Sequence, residues 1–558
     1  MLEHAYHWER AQPDRIYLTQ PMGEGEVRDF TWREVLDQAR RMAAHLRSLG
    51  YPPGSNLAII GKNSAHWLIC DLAIWMAGHV SVPIYPTLNA ASVKQILDHC
   101  EAKLVFLGKL DVWEAMKPGV GDALPIIRLP LAPPSRGDEW DDIIHSTKAL
   151  DESPTRGADE LATIVYTSGS TGVPKGVMMS FGCIMRASLS GLTAAGGNGL
   201  QLSPEDRLLS YLPLAHVYER IVIESAGLIL GCHIYFVEKL DTFLEDLRRA
   251  RPTLFHSVPR LWQQFYLGVS SKVPPQRLDT LLKIPLVGWF LKRKILQGLG
   301  LDHARVALSG SAPIAAELIS WYRRLGLELL EGYGMTEDCA CSHAGLKGKI
   351  RPGYVGNTLP GVQAKLSEEG EVLVKSPGAM MGYYKQPELT VECYTPDGFF
   401  RTGDRGEYDP DGRLRITGRV KELFKTSKGK YVAPAPIENL LLQHPRIEAA
   451  CVSGLGHPQP HALVMLAPDA RQRMTSTDGR AELERELESL LQKVNGQVNN
   501  FEALAFITVV FEVWTIENGF LTPTMKLRRA RLDETYAVHA GGWYAQQRRV
   551  IWHDTTTR

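Results

Sequence analysis

The segment Leu161 to Lys175, LATIVYTSGSTGVPK, constrains this chain more than any other, because an apolar strand pattern runs directly into a turn rich in glycine and hydroxyls that ends in a lysine. Ile164, Tyr166 and their apolar neighbours suit a buried strand. Gly169 and Gly172 permit backbone geometry that brings N–H groups close to an anion, Thr167, Ser168, Ser170 and Thr171 add hydroxyl donors, and Lys175 adds a mobile positive charge. Such a pattern reads as a phosphate-handling loop. It is not a P-loop, which needs Gly before its Lys and Ser or Thr after it; here Pro174 and Gly176 occupy those places. The magnesium-binding hydroxyl of a P-loop ATPase is therefore missing, and a different nucleotide chemistry is expected. Read alone, the same residues also fill ordinary surface turns.

Four further segments decide between these readings: LPLAHVYER from Leu212, EGYGMTE from Glu331, RTGDRGEYDPDGRLRITGR from Arg401 and LTPTMK from Leu521. With TSGSTGVPKG they occur in the order found in the adenylate-forming superfamily of acyl-CoA synthetases, luciferases and peptide-synthetase adenylation domains, which the chain resembles over nearly its whole length. LPLAHVYER and TSKGKYVAPAPIEN resemble the bacterial long-chain fatty acyl-CoA synthetases in particular.

The bulk properties agree with a soluble globular protein of several compact units. At 558 residues the chain exceeds a single typical core, and 44% hydrophobic with 22% charged residues is ordinary for a globular protein. Lys plus Arg and Asp plus Glu both number 62, so no global field recruits nucleic acid or an anionic membrane. The eight cysteines are scattered, without a CxxC pair, and are expected to be reduced. The N-terminus lacks the apolar core of a secretory signal, and the apolar window Trp67 to Tyr85 is interrupted by Asp71 and His79, so it fits a core helix entering a strand. A cytoplasmic location is the default expectation.

Alternation of helical and strand patterns over residues 28–110 and again from 161 to about 330 predicts an α/β layered architecture. Between Gly353 and Gly418 the texture changes to short strands and Asp-Gly turns at Asp397 and Asp411, predicting a small β-rich unit. The resemblance implies a large N-terminal domain (1–419) of layered α/β subdomains plus a β-barrel, and a small mobile C-terminal α+β lid (420–558) hinged near Lys421.

What the resemblance implies about the site follows residue by residue. ATP would lay its β and γ phosphates on Thr167, Ser168, Gly169, Ser170 and Thr171, with Lys175 assisting electrostatically. Tyr333 would stack on adenine, Gly334 would lie beside it, and Gly310, Ser311 and Ala312 would let the nucleotide approach the backbone. Thr336 would bind the α-phosphate and Glu337 would ligate magnesium. Asp404 and Arg419 would hold the ribose. His216 would border the acyl group, Trp262 would either gate an acyl tunnel or pack in the core, and Lys526 would bridge carboxylate and α-phosphate. Coenzyme A would be the acceptor of a medium- to long-chain fatty acyl group. A ligase for aryl or short branched acids, transfer to a separate carrier protein, and an acyl-adenylate-binding sensor are the alternatives. The stretch Leu281 to Leu299 combines apolar bulk with Lys283, Lys292, Arg293 and Lys294, so it would either touch a membrane peripherally or pack inside the fold.

Overall fold

The fold is described from a computed structural model, which defines residues 1–167, 174–196, 201–516, 518–522 and 526–554. Its centre is an eight-stranded sheet in the order 382–383, 175–180, 161–167, 80–84, 56–60, 104–107, 126–128, 138–139. The strands from 161–167 through 138–139 run parallel to their neighbours, and 161–167 turns back antiparallel through 175–180. Asn56–Ile60 is buried along its length, and its alternate residues enter different cores: Leu57 and Ile59 on one face, Ala58 and Ile60 on the other. A strand covered by helices on both sides must be apolar throughout, which is why its sequence shows no alternation.

The window Trp67 to Tyr85 resolves as anticipated into the wholly buried helix Ala65–Met76, capped by Ser64, followed by strand Val80–Ile84. Among the described residues no helix is long and apolar enough to cross a membrane. Asp71 is accommodated by an ion pair with Arg220, which also meets Glu224 at 3.2 Å and lies over the rings of Trp67 and Trp75. All eight cysteines are unpaired.

A second sheet carries the parallel strands Leu254–Ser257, Val306–Ser309 and Leu329–Tyr333, extended antiparallel by two short strands. The β-rich unit is a four-stranded antiparallel sheet of Gln363–Leu366, Glu371–Lys375, Phe400–Tyr408 and Leu414–Arg419, and both Asp-Gly turns place glycine at positive φ (82° at Gly398, 74° at Gly412). The smaller C-terminal domain builds its own core on strands Ile447–Ser453, His461–Leu466, Ile507–Val510 and Val550–His553, packed by helices that include Thr477–Asn495 and Arg529–Ala545.

The central sheet, the sheet of Leu254–Ser257 and a further four-stranded sheet of Ile16–Gly23, Glu26–Thr31, Arg207–Ser210 and His233–Phe236 are joined at Glu219. Its Oε1 accepts hydrogen bonds from Asn63 Nδ2 (3.1 Å), Ser210 Oγ (2.9 Å) and the Tyr211 N–H (3.0 Å), and its Oε2 lies 2.7 Å from His256 Nε2. These partners sit at the ends of strands belonging to three different sheets. Removing the carboxylate leaves several buried donors without an acceptor. Glu219→Leu is therefore expected to lower stability by about 3 kcal/mol or more, read as a shift of the urea-unfolding midpoint of the N-terminal domain; an unshifted midpoint contradicts the role of this carboxylate.

Candidate active site

The functional motifs converge where the parallel strands of the second sheet end, the usual place for a ligand crevice in α/β folds. Gly310, Ser311 and Ala312 follow strand Val306–Ser309, and Tyr333 to Glu337 follow from strand Leu329–Tyr333. A Cβ at Gly310 would meet the Tyr218 ring at 3.3 Å, and one at Gly334 would meet the Ala340 backbone at 2.6 Å, so both glycines permit close packing. Ser311 takes up a left-handed conformation (φ 68°), unusual for a residue with a Cβ.

Asp404 and Arg419 stand opposite each other on paired strands of the β-rich unit, so register alone brings them together. Arg419 Nε lies 2.9 Å from Asp404 Oδ1, and the Tyr333 hydroxyl donates to Asp404 Oδ2 at 2.7 Å. Burial raises the pKa of Asp404, while Arg419, the Tyr333 hydroxyl and Lys526 act in the opposite direction. A carboxylate offers about four lone-pair positions. Two are used here, which leaves acceptor capacity for a diol.

Glu337 lies in a short turn, Thr336–Asp338. Its Oε1 accepts from the Tyr383 hydroxyl at 2.8 Å, and the Lys175 ammonium lies 5.3 Å from the Tyr383 ring centroid. Tyr383 thus links the lysine after the glycine-rich loop to the acidic residue of EGYGMTE. Neighbouring Asp338 anchors this turn, its Oδ1 accepting from the Met335 and Cys341 N–H groups at 2.8 and 3.2 Å, and burial raises its pKa to about 7. Among the described residues no group of three or more His, Cys, Asp or Glu is arranged to hold a metal. One hard, half-buried carboxylate fits magnesium, which takes most of its ligands from phosphates and water.

Lys526 comes from the C-terminal domain, yet its electrostatic neighbours are Arg419, Asp404 and Glu337. The side chain is exposed to solvent, yet its ammonium lies within electrostatic reach of those three groups, a combination that describes a group lining an open cleft. Burial lowers its pKa first and Arg419 lowers it further, with Asp404 and Glu337 opposing. His216 also belongs to this cluster: burial and then the Lys526 charge lower its pKa to about 3. Its ring is therefore neutral near pH 7. Since Nδ1 accepts from the Tyr218 N–H at 3.2 Å, the hydrogen resides on Nε2, which is left as a donor.

The structure thus gathers Lys526, His216, Glu337, Asp404, Arg419 and Tyr333, with Lys175 joined through Tyr383. Thr167 closes its strand opposite Lys175. Ser168, Gly169, Ser170 and Thr171 lie outside the described residues. Lys421 is exposed in the turn Val420–Glu422, directly after Arg419. Trp262 is fully enclosed, its Nε1 donating to the Leu308 carbonyl at 3.3 Å and its ring edge-on to Phe255 and Tyr322 at 5.3 and 5.0 Å. Those surroundings are those of a core residue backing the wall of the domain, in place of the gate that would face open space. Tyr218 and Tyr383 were not singled out from the sequence. Each acts through a partner distant along the chain, and an aromatic residue beside a motif carries no local mark of such a role.

Comparison with known proteins places these features in a family. The model described as "AMP-binding enzyme" matches residues 5–384, and the model for the AMP-binding enzyme C-terminal domain matches 422–548. A long-chain-fatty-acid–CoA ligase of Mycobacterium bovis is 30% identical over 576 aligned residues, covering 95% of each chain. The peroxisomal long chain acyl-CoA synthetase 6 of Arabidopsis thaliana is 31% identical, covering 96% of this chain and 84% of its own. Among solved structures, the A domain of a carboxylic acid reductase from Segniliparus rugosus, in complex with AMP and a carboxylic acid, superposes with a TM-score of 0.80 at 22% identity, covering 98% of this chain and 94% of that one. An anthranilate CoA ligase in complex with anthranoyl-AMP superposes with a TM-score of 0.77 at 20% identity, covering 97% and 98%. At such identities the superpositions speak to fold alone.

Glu331, which opens the EGYGMTE segment, is almost fully buried with Oε2 unpartnered, and burial pushes its pKa up to about 8. The folded state then holds a proton that the unfolded state releases above its ordinary carboxylate range, so this contribution to stability is present at low pH and is lost as pH rises through the folded value. Glu331→Gln removes that linkage. Its stability relative to the unsubstituted protein is expected to grow with pH by up to about 1.4 kcal/mol per unit across the window from about 5 to about 8, measured by urea unfolding at stepped pH; a pH-independent difference refutes the assignment of a buried neutral carboxyl.

Proposed function

Because this chain belongs to the AMP-binding enzyme family, we propose that it is an ATP-dependent acyl-CoA ligase that activates a medium- to long-chain fatty acid as acyl-AMP and transfers the acyl group to coenzyme A. The observation that carries this reading is the position of Lys526, a cation from the C-terminal domain set among His216, Asp404, Arg419 and Glu337 of the N-terminal domain. Relatives named as long-chain ligases, aligned over 95% of the chain, support the substrate class.

Two anions must meet in the first step, a carboxylate and the α-phosphate of ATP, and their repulsion is the principal obstacle. Asp404 and Arg419 orient the ribose, Tyr333 lies against adenine, and Gly310, Ser311, Ala312 and Gly334 leave room for the base and sugar beside the backbone. Thr167, Ser168, Gly169, Ser170, Thr171 and Lys175 receive the β and γ phosphates, while Thr336 contacts the α-phosphate. Glu337 would hold the magnesium ion, which when bound neutralises phosphate charge. A carboxylate oxygen attacks the α-phosphorus as the bond to pyrophosphate breaks, and Lys526 stabilises charge shared between the two groups. His216 donates from Nε2 to the acyl carboxylate.

In the second step the thiol sulfur of coenzyme A attacks the acyl carbon, the bond to AMP breaks, and the thiol proton passes to solvent. A mobile lid hinged at Lys421 would withdraw Lys526 between the two reactions, and the boundary near 419/420 is part of this proposal. Partial desolvation suits Lys526 to its task, because an ammonium in a cleft of lowered polarity acts on a nearby anion more strongly than one in water.

Lys526→Ala is expected to reduce acid-dependent pyrophosphate release about 100-fold or more, the scale of a lost transition-state contact, while leaving thioester formation from supplied acyl-adenylate within a few-fold of normal. Thioester products identified by mass from a panel of acids measure the second half. Equal loss in both half-reactions contradicts the role given to Lys526, and absence of acyl-AMP with every acid tested contradicts the function.

A further inference from the structure

The segment Leu281 to Leu299 was left open between a surface and a core role, and the structure gives it both. No helix runs unbroken through the segment: one ends at Leu282 and Pro285 begins the next. Helices Pro275–Leu282 and Pro285–Gly298 form a tight hairpin through Lys283 and Ile284. Gly288 is buried at their crossing, where a Cβ would stand 2.5 Å from the Leu282 carbonyl oxygen. One face of the hairpin, including Leu278, Leu282, Leu291 and Ile295, packs into the core that encloses Trp262.

The other face is apolar and uncovered. Ile284 is 47% exposed, Leu286 84%, Val287 44%, and Trp289 and Phe290 61% each. Five large apolar side chains exposed within seven positions make a contiguous patch, which soluble surfaces seldom present without a partner. Basic residues flank it closely: Lys283 before it and Arg293 and Lys294 after it are exposed, Lys292 is half-buried, and no acidic residue occurs between Asp279 and Asp302. Asp279 is engaged by Arg324 at 3.3 Å, and among the described residues no carboxylate pairs with the four hairpin cations. Arg293 instead lies over the Trp289 ring at 5.7 Å, the placement of a long basic side chain reaching past an aromatic anchor.

We propose that this hairpin tip is a docking surface for anionic lipid bilayers, inserting Leu286, Trp289 and Phe290 shallowly among the acyl chains while Lys283, Lys292, Arg293 and Lys294 meet the head groups. Charge complementarity selects the occupant. A bare apolar face would suit a second copy of the chain equally well, but a patch flanked by unpaired cations repels its own copy and attracts a negative surface. The chain as a whole has equal numbers of basic and acidic residues, so the attraction is local to the hairpin. A helix of 14 residues is too short to span a bilayer and is suited to lying in its interface. The benefit to the enzyme rests on the function proposed above: acids with long chains partition into bilayers, and docking would bring the domain to its substrate.

Co-sedimentation of the full chain with vesicles tests this. The unsubstituted protein is expected to bind vesicles of equal parts phosphatidylcholine and phosphatidylglycerol, and to bind phosphatidylcholine alone at least about tenfold more weakly. Leu286→Gln, at the most exposed position, and the combined Trp289→Ser, Phe290→Ser variant are each expected to lose binding to both, with unchanged melting temperature and unchanged ligase activity on a water-soluble acid. Replacing Arg293 and Lys294 by Glu is expected to abolish only the preference for the anionic vesicles. Absence of vesicle binding by the unsubstituted protein, binding that survives these substitutions, or a solution dimer that Leu286→Gln dissolves would overturn the proposal. Vesicle binding in a protein inactive toward every acid would leave the docking surface standing and remove only its link to catalysis.

Discussion

An ammonium from one domain held among charges of another is the interaction on which the rest of this structure depends. Lys526 is drawn toward Asp404 and Glu337, pushed by Arg419, and partly stripped of water by the cleft it lines. These effects counteract one another, so the cation stays available for a further anion. The N-terminal sheets exist, in functional terms, to hold that balance. Asp404 and Arg419 are placed by strand register, Glu337 by a turn tied to buried Asp338, and His216 by the loop that precedes Glu219.

The framework behind the site is itself polar. Glu219 collects donors from three sheets, and Arg220, its neighbour, forms a buried cluster with Asp71 and Glu224. Nearby residues of one motif therefore serve different ends: His216 borders Lys526, Glu219 joins the layers, and Arg220 anchors the buried helix Ala65–Met76. Substitutions at Glu219 or Arg220 would impair activity through the scaffold, with no contact to the reacting groups.

Much of this was legible in the sequence because the signals are local. The strand Asn56–Ile60 follows from the apolar run that begins at Leu57, the helix over Trp32–Ser48 from its periodicity, and both Asp-Gly turns from glycine's tolerance of positive φ. The pairing of Asp404 with Arg419 is less visible, since it depends on register across a turn with a bulge. Tyr383 was invisible because its partner lies 46 positions away, and the ring of Tyr218 because the glycine it abuts, Gly310, lies more than 90 positions away. Trp262 shows the opposite limit: an indole beside an apolar pattern reads equally well as gate or core until its neighbours are known. The hairpin after it shows a third, for a segment apolar on two faces gives no sequence clue to which face is covered.

The double engagement of Asp404 has a kinetic consequence. Tyr333 and Arg419 already hold one oxygen each, so the carboxylate keeps its orientation whether or not a sugar is present. Under the proposed function an arriving ribose would find an acceptor fixed in place, and a departing AMP would leave behind no stranded buried charge to be rehydrated. The same two contacts that would sharpen recognition would thereby ease product escape, favouring repeated turnover over tight retention.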